Sequence, residues 1–164
     1  MKKIGWVLGL VLLCGLGVGA RAQGDPELSK GWTFRGGFFV PERKISRQQE
    51  GDIWLTLGAE RPFYEGERYN GTFSIDYYGS GGIYNIPFQV NLRSETNRLR
   101  YGAGVGVSIG HDATKGASSL AYNLQLGYVL RPGSSPITFD VRYLGTGGSS
   151  GQLNGWGFLL GLTF

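Results

Sequence analysis

Cysteine and long apolar runs are nearly absent from this chain. Cys14 is the only cysteine and lies in the apolar N-terminal stretch, so the rest of the chain offers neither a disulfide nor a sulfur metal site. After Val18 no apolar run approaches the ~20 residues that a membrane-spanning helix needs. The sequence therefore argues against disulfide scaffolds and helical membrane proteins, and we expect no cofactor and no metal.

A strong net charge is also lacking once the N-terminal residues are set apart. Lys2, Lys3 and Arg21 account for three of the 16 basic residues, whereas all 12 acidic residues follow Ala22. A chain so close to neutral lacks the basic surface with which proteins attract nucleic acid. We therefore expect no nucleic-acid partner.

The N-terminal residues have the three parts of a secretory signal peptide. Two lysines come first, an apolar stretch runs from Ile4 to Val18, and Ala20-Arg21-Ala22 precedes a polar segment. This order is typical of an exported protein, and the apolar stretch is too short for a retained anchor. We predict a cleaved signal peptide at 1–22 and a single domain at 23–164.

Apolar and polar residues alternate strictly in eight segments after Gly31. In 98–109, for example, the odd positions are apolar from Leu99 to Ile109, and the even positions are arginine, glycine or serine. A period of two is that of a β-strand, so we predict an all-β fold with eight antiparallel strands. The segments are 32–40, 52–60, 71–78, 83–93, 98–109, 119–130, 137–144 and 154–164.

Two features mark irregular places in this pattern. Pro87 lies inside the fourth segment, where its missing N–H predicts a local bulge or break. The connection 61–70 is longer than the short turns expected between strands on its side of the barrel. The connections near 41–51, 79–82, 110–118 and 145–152 are expected together at the end of the barrel opposite to 61–70.

The polar face of the segments decides where the apolar face points. It consists mainly of Gly, Ser, Thr, Asn and Gln, and Lys30, Lys44 and Lys115 all lie outside the segments. A soluble barrel of the lipocalin type is the alternative, but its outer face should carry many lysines and glutamates. The pattern favours an apolar face in lipid, which strands cross only as a closed barrel. We predict a transmembrane antiparallel up-and-down β-barrel with tyrosines and tryptophans at both interfaces.

Two stretches resemble a known family. The segment Tyr84–Arg93, the turn 94–97 and Leu99–Val107 resemble the middle of small outer-membrane β-barrel domains of the OmpA/OmpX-like, eight-stranded kind. The ending is similar to that family's C-terminal insertion signal, a terminal Phe164 preceded by Trp156, Phe158, Leu160 and Leu162. The resemblance implies a protein of the bacterial outer membrane, in the Gram-negative envelope, that is assembled through its C-terminal strand and has both termini in the periplasm.

Charged residues on the inward face are few and of both signs. Arg35, Asp76, Asp140 and Arg142 are expected at middle heights, where pairing across the lumen would close it. Glu60, Arg93, Arg98 and Arg100 are expected nearer the periplasmic end. The interior glycines 102, 104 and 106 are expected to make room for bulky neighbours such as Trp54 and Tyr78.

No reactive constellation accompanies this framework. Ser108, His111 and Asp112 invite comparison with lipid-modifying barrel enzymes, but an adjacent histidine and aspartate cannot readily form the acid-to-base contact of a triad. We expect no catalytic residue and favour a structural or surface-interaction role, with a narrow channel for small solutes and a lipid-modifying enzyme as alternatives. The expected partners of this monomer are outer-membrane lipid and lipopolysaccharide, and the outer-membrane assembly machinery. Arg43, Lys44 and Arg47 in the connection 41–51 are candidates for contact with lipopolysaccharide phosphates, but a solvated surface loop is the favoured interpretation of this charged segment.

Overall fold

The structure is a computed structural model of the chain. It describes residues 31–112, 116–147 and 151–164. The predicted signal peptide at 1–22 lies outside the described residues.

Eight antiparallel strands form one closed barrel in which each strand pairs with its neighbours in sequence and β1 pairs with β8. This confirms the predicted all-β, up-and-down architecture. The strands are β1 Thr33–Pro41, β2 Trp54–Glu65, β3 Asn70–Ser80, β4 Ile83–Thr96, β5 Leu99–His111, β6 Gly116–Arg131, β7 Ile137–Thr146 and β8 Gly155–Thr163.

Of the two irregular places, 61–70 differs from its sequence prediction, whereas Pro87 shows the break that was one of the two predicted alternatives. The stretch 61–70 is not one long connection, because β2 continues to Glu65 past a bulge between Pro62 and Tyr64. Around Pro87 the register of β3 and β4 is the same on both sides, and pairing is interrupted only opposite Asp76 and Tyr77. The proline therefore breaks the ladder locally, as its missing N–H requires, without adding a bulge.

The two ends of the barrel are built differently. At one end, called the terminal end, the chain enters β1 and leaves β8, and β4 turns into β5 through Asn97 and Arg98 with φ of 50° and 71°. Positive φ at both central residues is the mark of a type I′ hairpin turn. Arg98 therefore lies in an exposed turn and not on the inward face where it was predicted.

The other end, called the helix end, carries α1, Lys44–Glu50, between β1 and β2. The helix ends at Gly51, whose φ of 86° suits glycine. Ser46 Oγ donates to the carbonyl of Gln152, and Gly82 N donates to Glu50 Oε1. These bonds hold the helix across the mouth of the barrel. No helix in the described part of the chain is long and apolar enough to cross a membrane.

The distribution of polarity is the reverse of that in a water-soluble protein. Among the described residues 22 polar or charged side chains are buried against nine apolar ones, and 28 large apolar side chains are exposed. Burial follows the alternation along each strand, with the polar positions inside. The predicted direction of the two faces is therefore confirmed.

Substitution of Gly106 tests how closely β5 packs against β4. A Cβ at Gly106 would overlap the backbone carbonyl oxygen of Phe88, whereas a Cβ at Gly116 would meet nothing within 4 Å. Gly106→Ala should lower the free energy of unfolding by about 1–3 kcal/mol, the usual range for overpacking. Gly116→Ala, the control, should leave it unchanged in urea unfolding followed by tryptophan fluorescence. Equal stability of the two variants would contradict the close approach.

Candidate functional site

The candidate site is the barrel lumen, which the inward side chains fill in layers. Along β3 the inward residues from the terminal end to the helix end are Thr72, Ser74, Asp76 and Tyr78, and all four are buried. Hydroxyls therefore come first, a charge lies in the middle and an aromatic ring follows. β1 repeats this order with Thr33, Arg35 and Phe39.

A chain of ion pairs crosses the middle of the lumen. Arg35 Nε and Nη2 donate to the two carboxylate oxygens of Asp76 at 2.9 and 3.0 Å. Arg142 Nη1 lies 3.1 Å from both of these oxygens. Asp76 is therefore shared by two guanidinium groups, one from β1 and one from β7.

The chain continues toward the terminal end through Glu60. Its carboxylate pairs with Arg35 and also with Arg93 on β4. Arg93 Nη2 donates further to Gln125 Oε1 at 2.8 Å. Because Glu60 and Asp76 each serve two arginines, five charged side chains form a single network.

Asp140 is the one member of the predicted cluster that this network does not include. Its nearest basic group is Arg100, whose Nη1 lies 3.8 Å from Asp140 Oδ2. Thr138 Oγ1 donates to the same oxygen at 3.3 Å. Arg35, Asp76 and Arg142 are thus in contact, whereas Asp140 lies beside Arg100. Glu60 takes the place in the network that the sequence assigned to Asp140.

A group of side-chain amides lies across the lumen beside β5. Asn123 Nδ2 donates to Gln89 Oε1 and to Asn91 Oδ1 at 2.9 and 2.7 Å. A Cβ at Gly104 would collide with two of these amides, since its nearest atoms belong to Asn91 and Asn123. At Gly102 and Gly106 the nearest atoms are backbone oxygens of β4. The expectation that these glycines accommodate Trp54 and Tyr78 is therefore wrong.

Apolar side chains close the lumen at the helix end. The buried cluster consists of Phe39, Trp54, Tyr78, Ile83, Leu144 and Leu153. The rings of Phe39 and Tyr78 lie 4.4 Å apart, and Tyr78 Oη donates to the carbonyl of Leu153 at 2.9 Å. The sequence places Phe39, Trp54 and Tyr78 on the inward face but does not show that they meet. We call these six residues the apolar plug.

The terminal end of the lumen remains hollow. A cavity of about 380 Å³ lies there, and Arg93, Arg100, Glu95 and several threonines line it. The lumen is therefore closed by side chains at the helix end and widens into a cavity at the terminal end.

The residues considered for catalysis do not come together. Ser108 is buried on the inward face of β5 and its hydroxyl contacts Ser119, whereas His111 is exposed on the outward side of the same strand. Asp112 follows the end of β5 and is buried. No group of three His, Cys, Asp or Glu side chains in the described ranges is arranged to hold a metal ion.

The proposed insertion signal occupies one side of β8. Trp156 and Leu160 are about half exposed, Phe158 and Leu162 are intermediate, and Phe164 is 64% exposed. Phe164 N donates to the carbonyl of Trp32 at 3.0 Å. The five residues thus form a continuous apolar stripe on the outer surface, at the seam where β8 meets β1.

Comparison of the sequence with protein-family models, curated proteins and solved structures finds no match. What the barrel does is therefore inferred from its own residues.

Asp76 should contribute more to stability than either of its arginine partners. Asp76→Ala leaves Arg142 without its carboxylate, and loss of one partner from a buried pair typically costs about 3–5 kcal/mol. Arg142→Ala should cost less, because Asp76 keeps both of its contacts with Arg35. Urea unfolding of the purified barrel measures both.

The matched control is Asp52→Ala, since the Asp52 carboxylate is 81% exposed and lies 3.6 Å from Arg47. An exposed pair of this kind contributes about 0–1 kcal/mol. If Asp76→Ala and Asp52→Ala lower the free energy of unfolding equally, the shared carboxylate does not organise the lumen.

Proposed function

We propose that this chain is an integral β-barrel protein of the bacterial outer membrane with a structural or surface-interaction role and no enzymatic activity. The observation that carries the proposal is the outer surface of the eight strands. Its outward positions hold mainly apolar and aromatic residues, and the basic exceptions among the described residues, Arg61, His111 and Arg131, lie toward the ends of their strands. A surface of this composition is unfavourable in water and suited to hydrocarbon.

Two groups of outward aromatic rings support a membrane location. Near the helix end Tyr143 lies between Tyr122 and Trp156, with ring centroids 6.3 and 5.2 Å away. Near the terminal end Phe34 lies 6.3 Å from both Trp32 and Phe164. Rings at two levels are typical of the aromatic girdles at the membrane interfaces.

The separation of these two groups fits a thin bilayer. Trp156 and Phe164 are eight residues apart at the two ends of β8. At ~3.3 Å per residue and a strand tilt of about 40°, this corresponds to about 20 Å along the barrel axis. The apolar band of outer-membrane barrels is about 25 Å tall.

The signal peptide and the resemblance to OmpA/OmpX-like barrels supply the cellular location and the orientation. Export followed by assembly through the C-terminal stripe would leave the terminal end in the periplasm and the helix end outside the cell. In this orientation α1 faces the lipopolysaccharide layer.

The lumen favours a structural role over transport. The apolar plug and the ion network occupy the helix end and the middle, and an eight-stranded barrel has room for little more than its own side chains. A narrow channel for small solutes is the second candidate, favoured by the cavity at the terminal end.

Leu124→Arg distinguishes a membrane barrel from a soluble one. Leu124 is 53% exposed on β6 between Tyr122 and Tyr128, and arginine near the bilayer midplane is unfavourable by about 2–4 kcal/mol. The variant should therefore lose outer-membrane abundance and the gel shift between unheated and heated samples. Leu130→Arg, at the rim of the same strand, should cost only about 0–1 kcal/mol.

A soluble barrel would give the opposite result, since an arginine in place of an exposed leucine would leave its folding unchanged and improve its solubility. Normal abundance of Leu124→Arg in a soluble periplasmic fraction would overturn the membrane proposal.

Planar-bilayer recording distinguishes the structural role from the channel. The purified protein should show no steady conductance of porin size, because the apolar plug and the Asp76 ion pairs fill the lumen. A general porin in the same bilayer serves as the positive control. Large, stable single-channel steps from the unmutated protein would make the channel the preferred function.

A further inference from the structure

The cavity at the terminal end has a wall of two arginines that are only partly satisfied. Arg100 is 8% exposed and Arg93 is 6% exposed, and both line the cavity of about 380 Å³. Glu60, Glu65 and Glu95 also line it, together with threonine, serine, asparagine and proline residues. A small polar molecule would fit this volume.

Arg100 has donors to spare. Its Nε lies 3.7 Å from Glu95 Oε2 and its Nη1 lies 3.8 Å from Asp140 Oδ2. Both distances exceed that of a hydrogen bond, which for N–H to O is about 2.7–3.2 Å. The guanidinium group is thus attracted to two carboxylates without being hydrogen-bonded to either.

Arg93 is incompletely satisfied as well. Its Nη2 contacts Glu60 and Gln125, but its Nε and Nη1 have no hydrogen-bond partner among the described residues. Glu60 contacts Arg93 through Oε2, the same oxygen that pairs with Arg35. Buried donors of a charged group normally find acceptors, because leaving them unpaired is costly.

The buried charges of the lumen also favour a negatively charged ligand. Among the described residues, the buried charged side chains of the lumen are the arginines 35, 93, 100 and 142 and the carboxylates of Glu60, Asp76 and Asp140. The buried Asp112 lies beyond β5 at the opposite end. The four arginines exceed the three carboxylates by one. Arg142 also has two buried nitrogens without a partner, but it does not line the cavity, whereas Arg93 and Arg100 do.

We propose that the terminal-end cavity binds a small soluble oxyanion, a carboxylate or phosphate group, through the guanidinium group of Arg100, with Arg93 adding positive charge behind it. Planar guanidinium groups present paired donors that match the oxygens of such anions. Glu95 lies at the rim, 3.7 Å from Arg100, and competes with the anion for it. The site goes beyond the membrane role and does not depend on it, since it lies wholly inside the barrel.

Titration of the purified full-length barrel with inorganic phosphate tests the site. The linewidth of the phosphorus resonance reports binding, acetate serves as a competitor, and sodium chloride holds the ionic strength constant. Three variants, Arg100→Gln, Glu95→Gln and Arg131→Gln, separate the site from general attraction. Arg131 is the matched control because it is an exposed arginine at the same end of the barrel that does not line the cavity.

The unmutated protein should bind phosphate saturably, and acetate should displace it. Arg100→Gln should weaken binding at least about tenfold, because a hydrogen bond to a charged group exceeds the ~1.4 kcal/mol that a tenfold change represents. Glu95→Gln should tighten binding, because it frees Arg100 and removes a negative charge from the rim. Arg131→Gln should leave the affinity unchanged.

Several results would overturn the proposal. The absence of saturable binding is one, and equal losses in Arg100→Gln and Arg131→Gln are another, since they indicate attraction to surface charge. Binding of a cation or an amine that Glu95→Gln abolishes would assign the cavity to the opposite charge. None of these outcomes bears on membrane insertion, which the Leu124→Arg comparison addresses separately.

Discussion

Compensation of charge inside a narrow space is the constraint on which the rest of this barrel depends. Asp76 neutralises Arg35 and Arg142, and Glu60 neutralises Arg35 and Arg93. Such bulky ion pairs fit only where the residue paired with the carboxylate on the neighbouring strand has no side chain. A Cβ at Gly58 would overlap the carboxylate of Asp76, and one at Gly127 would overlap that of Asp140. Gly58 and Gly127 thus make room for the two carboxylates.

The polar interior and the apolar exterior are both consequences of the same alternation along each strand. A strand that lines this lumen with arginine, asparagine and threonine must present its alternate residues outward, because successive side chains point to opposite faces. Closure of β1 onto β8 leaves no unpaired edge, so the backbone needs no solvent at its outer surface. The apolar plug is the largest exception to the polar interior, and it lies at the helix end together with α1.

The number of strands and the direction of their side chains could be predicted, because both follow from a period of two that the sequence displays directly. The contacts between side chains across the lumen could not be predicted, because they depend on how far each strand is staggered relative to its neighbours around the barrel. Asp140 therefore meets Arg100 and not Arg142, although Asp140 and Arg142 share one strand. The continuation of β2 beyond Pro62 could not be predicted either, because no residue type in the sequence indicates the bulge between Pro62 and Tyr64.

Closure also determines which changes in length the chain can absorb. A strand at the edge of an open sheet can slide along its single neighbour, but every strand of this ring is held in register on both sides. Removal of one residue inside β5 would therefore turn half of the strand over, and valines would face Asn91 and Asn123 while glycines faced outward. Insertions and deletions should therefore be tolerated in the connections at the helix end and not within the strands.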